Sequence, residues 1–303
     1  MATPRFERYR KGGGTVQVEM SAPVFDPDSG GGDEILYLYD AATVAGGVRG
    51  FSAVGQGEVA QFHDLGYLVI EDAFSTQEID GAQQAIIELI DGRREGFRGV
   101  QFEASARELL PSLSAEAKQD YVRKLSAFVG YDARLKALSE HPQLVALLDR
   151  LMGEPPELFQ DIALLKPPLV GREKPWHQDN AFFNLPPQTT VIGAWIALDE
   201  ALIENGCMHV IPGSQREGPM VHWKRRDWQI CDTDVQTGRV VAVPLRPGGV
   251  LLFHGLLHHG TPPSRSPRRR RAVQYHYKPA SIGRISGEEH RAIFGSEGKD
   301  VEC

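Results

Sequence analysis

The sequence predicts a mainly β protein, a sandwich or jelly roll with helices packed outside it. Short apolar runs recur from about Ile162 onward, each bounded by Gly or Pro: residues 162–166 before Pro167-Pro168, 191–198, 208–211 before Pro212-Gly213-Ser214, 240–243, 250–253 after Pro247-Gly248-Gly249, and 272–277. The helical signals all fall before that half. No internal repeat occurs at any period.

Taken in order, residues 1–57 read as an N-terminal extension of open role. Gly12-Gly13-Gly14 and Gly30-Gly31-Gly32 punctuate short, weakly alternating segments there. These suit edge strands draped over the main domain, or a disordered tail. The main domain spans 58–303. Val59, Phe62 and Leu65 mark a short helix that stops at Gly66, and residues 67–70 read as a strand. Ser75 and Glu78 form a capping box, opening a helix with the stripe Ile79, Ala82, Ile86, Leu89 and Ile90. Pro142 starts a further helix around residues 144–152, and Gly153 ends it. Asn205-Gly206 reads as a hairpin turn. The polar, aromatic stretch 215–236 is long for a loop and suits a lid over a substrate.

Composition narrows the function class. Of 303 residues, 41% are apolar and 24% charged, which suits a soluble globular protein and excludes wholesale disorder. The net charge of −7 argues against a nucleic-acid binder. Cys207, Cys231 and Cys303 are too few and too scattered for a disulfide framework or a zinc site, so a reducing, cytoplasmic setting is expected. No apolar run approaches the roughly 18 residues of a membrane span, and the first residues lack the apolar core of a secretory signal. The expected partner is a small-molecule substrate, with no nucleic acid and no membrane; oligomeric state is not legible.

The chemistry concentrates in Trp176-His177-Gln178-Asp179. On an extended segment residues two apart share a face, so His177 and Asp179 converge on one point. With one distant histidine they would make a facial triad, which leaves part of a non-haem Fe(II) ion open. Three histidines offer themselves in Phe253-His254-Gly255-Leu256-Leu257-His258-His259-Gly260-Thr261. The run Arg268-Arg269-Arg270-Arg271 then enters the last strand. It suits a solvated basic edge, or a strand that delivers one guanidinium into a pocket to pair with a carboxylate.

In order and spacing these residues resemble the phytanoyl-CoA dioxygenase family of Fe(II)- and 2-oxoglutarate-dependent oxygenases. The resemblance rests on His177-Gln178-Asp179, Trp195, Asn205-Gly206-Cys207, Pro212-Gly213-Ser214, His259-Gly260-Thr261 and Arg270, and runs from about Glu58 to Tyr277. It implies a double-stranded β-helix (jelly roll, cupin-like) and a hydroxylase of a small metabolite that consumes 2-oxoglutarate and O2 and releases succinate and CO2. It also implies that His177, Asp179 and His259 bind Fe(II) and that Arg270 with Thr261 holds the distal carboxylate of 2-oxoglutarate. Trp195 and Lys124 would lie near the cosubstrate's metal-bound end, and Gln178 would line the same pocket. One departure is Gln215, where relatives often carry a histidine after Pro-Gly-Ser. The rival expectations are a non-catalytic ligand-binding or sensing protein on the same fold, and a metal hydrolase on a cupin-like barrel.

Overall fold

The computed structural model describes residues 7–9, 15–17, 37–102 and 109–295. It divides into two units, 1–34 and 35–303. In the first, β1 (Glu7–Tyr9) pairs antiparallel with β2 (Thr15–Gln17). The boundary expected after residue 57 thus falls after 34. Residues 37–57 belong to the second unit because they bury Leu38, Tyr39, Phe51 and Val54 there. They also supply β3 (Thr43–Val44) and β4 (Val48–Arg49) to its sheets.

The helices follow their sequence signals closely. α1 (Gln56–Leu65) ends at Gly66, whose φ of 79° is left-handed. β5 (Tyr67–Glu71) follows, then α2 (Thr76–Ile90), whose Ser75–Glu78 capping box forms as expected. After β6 (Val100–Phe102) come α3 (Ala115–Lys118), β7 (Val122–Ser126), α4 (Ala133–Ser139) and α5 (Pro142–Met152). The strand-rich half holds β8 (Pro156–Lys166), β9 (Lys174–His177), β10 (Ile192–Ala197), β11 (Met208–Val210), β12 (His222–Lys224), β13 (Trp228–Ile230), β14 (Val241–Val243), β15 (Val250–His254), β16 (His259–Thr261) and β17 (Arg270–Pro279). α6 (Gly287–Phe294) closes the described chain.

Two sheets result. The larger runs β4-β5-β15-β10-β17-β8-β7-β6 and the smaller β3-β14-β11-β16-β9. Alternation along the central strands divides the core into two layers. Ile192, Ala194 and Ile196 of β10, Leu252 of β15, and Val273 and Tyr275 of β17 join a cluster with Ile79, Ile86, Leu89, Leu138, Leu144 and Leu148 of α2, α4 and α5. The opposite face carries Trp195, Ala197, Leu251, Phe253 and Ala272, which pack against Met208, Val210, Ala242 and Val243 of the smaller sheet. This two-sided burial explains why these strands read as continuous apolar runs rather than alternating ones. The result is the expected jelly roll with helices outside.

The Asn205-Gly206 hairpin is corrected. β10 and β11 lie in different sheets, so the connection is a crossing and not a hairpin. The 3-10 turn Ile203–Asn205 ends on Gly206 at φ 84°, and Asn205 ties the turn together by accepting from Leu202 N and donating to Glu200 O.

Candidate metal centre

The register of the smaller sheet brings the two histidines together. His177, the last residue of β9, stands directly opposite His259, the first of β16, and their ring centroids are 4.2 Å apart. The strand then breaks into the 3-10 turn Asp179–Phe182, which swings the Asp179 carboxylate back beside the rings. Asp179 Oδ1 lies 3.4 Å from His177 Nε2 and 3.5 Å from His259 Nε2. One ligand atom from each of the three falls within 4.8 Å of the others, and all three residues are buried.

The tautomers are set by the backbone. His177 Nδ1 lies 2.7 Å from Pro175 O and His259 Nδ1 lies 2.9 Å from Leu257 O. Each Nδ1–H therefore donates to a carbonyl, and each Nε2 presents its lone pair to the centre. Burial, aided by the neighbouring His259 and Lys174, pushes His177 down to about 4, so its imidazole is neutral at physiological pH. Burial alone would raise Asp179; the neighbouring histidines His259, His276 and His177 outweigh it and hold the carboxylate well below its usual range. Two neutral imidazoles and one carboxylate are the donor set of a facial triad.

Behind the centre, four consecutive arginines separate sharply. Arg268 pairs with Glu200, Arg269 with Glu116 and Asp120, and Arg271 with Asp199 and Gln119. Arg270 points inward and is 2% exposed. It has no acidic partner among the described residues: its hydrogen bond is to Leu164 O at 3.3 Å, and its Nε has none. Burial pushes its pKa down only to about 10, so it keeps its charge. Its guanidinium carbon lies 5.4 Å from the Trp195 ring, whose Nε1 is also buried without a partner. Thr261 is buried on β16. Among the described residues the guanidinium has no acidic partner and the indole N–H no acceptor, which fits a carboxylate-bearing ligand that would satisfy both.

Lys124 stands opposite Leu164 in the β7–β8 register. Directly paired residues share a face, and Leu164 packs against the layer between the sheets. Lys124 therefore rises on the inner face, at its exposed edge. Burial of its stem, with Lys174 and Arg123 nearby, lowers its pKa.

Gln178 is corrected: the structure does not bring it to the cosubstrate pocket. It sits between two inward residues and faces away, and its amide donates to Gly218 O and Leu256 O while accepting from Met220 N. It thus ties down the segment that follows Ser214. His258, next to His259, also points away from the centre, buried with neither ring nitrogen bonded among the described residues. His254 instead accepts from Leu256 N.

The stretch 215–236 contains the hairpin β12–β13. Trp228 Nε1 donates to Ala181 O, within the Asp179–Phe182 turn. Arg226 bridges Glu173 and Asp232, and Lys174 pairs with Asp227 at 2.8 Å. The hairpin is therefore pinned to the start of β9, at the approach to the histidines.

Two residues close to the centre were missed by sequence reasoning. His276 Nε2 lies 2.7 Å from Asp179 Oδ2, and Gln274 Nε2 lies 3.1 Å from the same oxygen. The signal was present in the alternation Arg270, Ala272, Gln274, His276 along one face of β17.

Residues 62–272 match the family described as Phytanoyl-CoA dioxygenase (PhyH). The phytanoyl-CoA dioxygenase domain-containing protein 1 of Danio rerio is 26% identical over 257 residues, covering 72% of this chain and 88% of that protein. Among solved structures, the non-heme alpha ketoglutarate dependent carbocyclase SnoK from nogalamycin biosynthesis has a TM-score of 0.60 at 22% identity, covering 84% of this chain and 98% of its own. EctD from S. alaskensis, solved with 2-oxoglutarate and 5-hydroxyectoine, has a TM-score of 0.61 at 22% identity, covering 75% and 77%. These two likenesses concern the fold.

Proposed function

The chain belongs to the phytanoyl-CoA dioxygenase family of Fe(II)- and 2-oxoglutarate-dependent oxygenases, and from that premise we propose that it hydroxylates a small organic metabolite at the His177–Asp179–His259 centre. Fe(II), 2-oxoglutarate and O2 are its cofactor set. When bound, they supply the oxidation of a C–H bond, with release of succinate and CO2.

In this reading the chain's residues bind, orient and exclude water. His177 and His259 would offer Nε2 and Asp179 would offer Oδ1 to the metal, which would leave positions on it for cosubstrate and O2. Arg270 grips the far carboxylate of 2-oxoglutarate in bidentate fashion, with the Thr261 hydroxyl as a further donor. Trp195 Nε1 and Lys124 act on the cosubstrate nearer the metal. The burial of all three ligands limits water at the reacting carbon.

The single observation that carries the reading is Arg270, a buried cation with no counterion among the described residues, on the strand whose Gln274 and His276 reach Asp179. The small size of the substrate is supported by the closeness of the pinned β12–β13 hairpin to the Asp179 turn. Among the described residues no helix is long and apolar enough to cross a membrane. We propose a cytoplasmic location as well.

The test is succinate release across a metabolite library, with product mass read alongside. A substrate that couples succinate to a gain of one oxygen supports hydroxylation. A substrate turned over without 2-oxoglutarate or O2 would refute the proposal in favour of hydrolysis.

A further inference from the structure

We propose that His276 and Gln274 are positioning residues that hold the Asp179 carboxylate to the metal through one oxygen, keeping the coordination sites for 2-oxoglutarate and O2 open. The proposal rests on the metal centre proposed above and goes beyond its ligand set.

The two oxygens of Asp179 are divided between different neighbours. Oδ1 belongs to the ligand cluster, 3.4 and 3.5 Å from the Nε2 atoms of His177 and His259. Oδ2 turns toward β17, 2.7 Å from His276 Nε2 and 3.1 Å from Gln274 Nε2. The two nitrogens are 2.8 Å apart, so with Oδ2 they close a tight triangle in which the carboxylate oxygen is the acceptor. Both donors come from one strand, two residues apart, on the face that also carries Arg270. β17 therefore serves the cosubstrate pocket at one end and the carboxylate ligand at the other.

His276 is built to stay in place. It is 1% exposed, with the Phe183 and Phe159 rings at 5.0 and 6.2 Å. Its cross-strand neighbour on β10 is Gly193, so no side chain competes for the space. A Cβ on Gly193 would sit 2.5 Å from the Phe253 ring.

The chemical consequence follows from counting positions. A six-coordinate metal held by two imidazoles and one carboxylate oxygen has about three positions left, two for a chelating 2-oxo acid and one for O2. If Oδ2 also bound the metal, it would take the last of these. An oxygen already accepting two hydrogen bonds from buried donors is oriented away from the metal and is a weaker ligand.

The experiment uses Mn(II) alone as the probe, in the full-length protein, and reads binding affinity together with water-proton relaxation per bound ion. Wild type should hold about three exchangeable waters, and saturating 2-oxoglutarate should leave about one. In His276→Phe the relaxation per bound Mn(II) should fall by roughly a third as Oδ2 joins the ion, with affinity weakened about 10- to 100-fold. His276→Gln, whose amide nitrogen can donate to the same oxygen, should restore both. Gln274→Leu should move both readings in the same direction, and it carries the test if His276→Phe does not fold. Unchanged relaxation and affinity in the folded variants, with Mn(II) bound normally by wild type, would overturn the positioning role and leave the ligand set standing. Binding as tight to His259→Ala as to wild type would instead overturn the centre itself, and the proposal with it.

Discussion

Arg270→Ala removes the buried cation on which the cosubstrate assignment rests. In the fold this guanidinium has no acidic partner among the described residues. An incoming carboxylate therefore gains a charge-assisted bidentate contact in a site shielded from water. Losing one partner of a buried charge pair costs about 2–5 kcal/mol. At about 1.4 kcal/mol per tenfold, the variant should need roughly 30 to 4,000 times more 2-oxoglutarate for half-maximal succinate release. Arg268→Ala is the internal control, because its pair with Glu200 is exposed, with side chains 64% and 46% accessible. Exposed pairs contribute at most about 1 kcal/mol, and this one lies outside the pocket, so its requirement should match wild type. The assay is steady-state succinate release against 2-oxoglutarate at saturating Fe(II). Equal requirements in Arg270→Ala and Arg268→Ala would refute the reasoning.

Further outcomes follow from other parts of the structure. His259→Ala should abolish Fe(II) retention in equilibrium dialysis, while His258→Ala should retain it, since His258 faces away from the centre; equal loss from both would contradict the assignment. Burial pushes His222 and His254 down to about 3 and about 4, so both are neutral in the fold and take up protons on unfolding at acid pH. Their contribution is complete above about pH 6.5 and is lost as pH falls toward 4 and then 3. Urea unfolding of the metal-free protein should therefore give lower stability at pH 4.5 than at pH 7, and equal stability would contradict it. A chain beginning at Glu58 should melt well below one beginning at Ile35, because it lacks the buried Leu38, Tyr39, Phe51 and Val54; identical melting would show those residues to be dispensable.

Local signals carried much of the fold. The α2 capping box, the Gly66 and Gly153 stops and the Gly/Pro-bounded strands act through residues adjacent in sequence, and all appear where expected. Arg270 was singled out by the eleven-residue interval from His259 that the family resemblance supplies; alternation alone only sorted the arginines by face, and Arg269 and Arg271 find acids on the other side. What failed depended on contacts between distant segments. Asn205-Gly206 looked like a hairpin because turn chemistry does not reveal which sheet the next strand joins. Residues 37–57 join the second unit through β3 and β4, two residues each, of which β3 pairs with β14, far along the chain, a contact no local signal announces. Gln178 was drawn toward the site by its position between two ligands, although alternation turns it toward Gly218 and Leu256. His276 became visible only when β17 met the Asp179 turn, 97 residues away along the chain.

The central claim is that His177, Asp179 and His259 hold Fe(II) with an open face that 2-oxoglutarate chelates. Anaerobic titration of the purified protein with Fe(II) and 2-oxoglutarate, followed by visible absorption, tests it most directly. A weak charge-transfer band is expected that saturates at one Fe(II) per chain, needs 2-oxoglutarate, and is absent from His259→Ala. No band in the wild-type protein, or an equal band in His259→Ala, would contradict it.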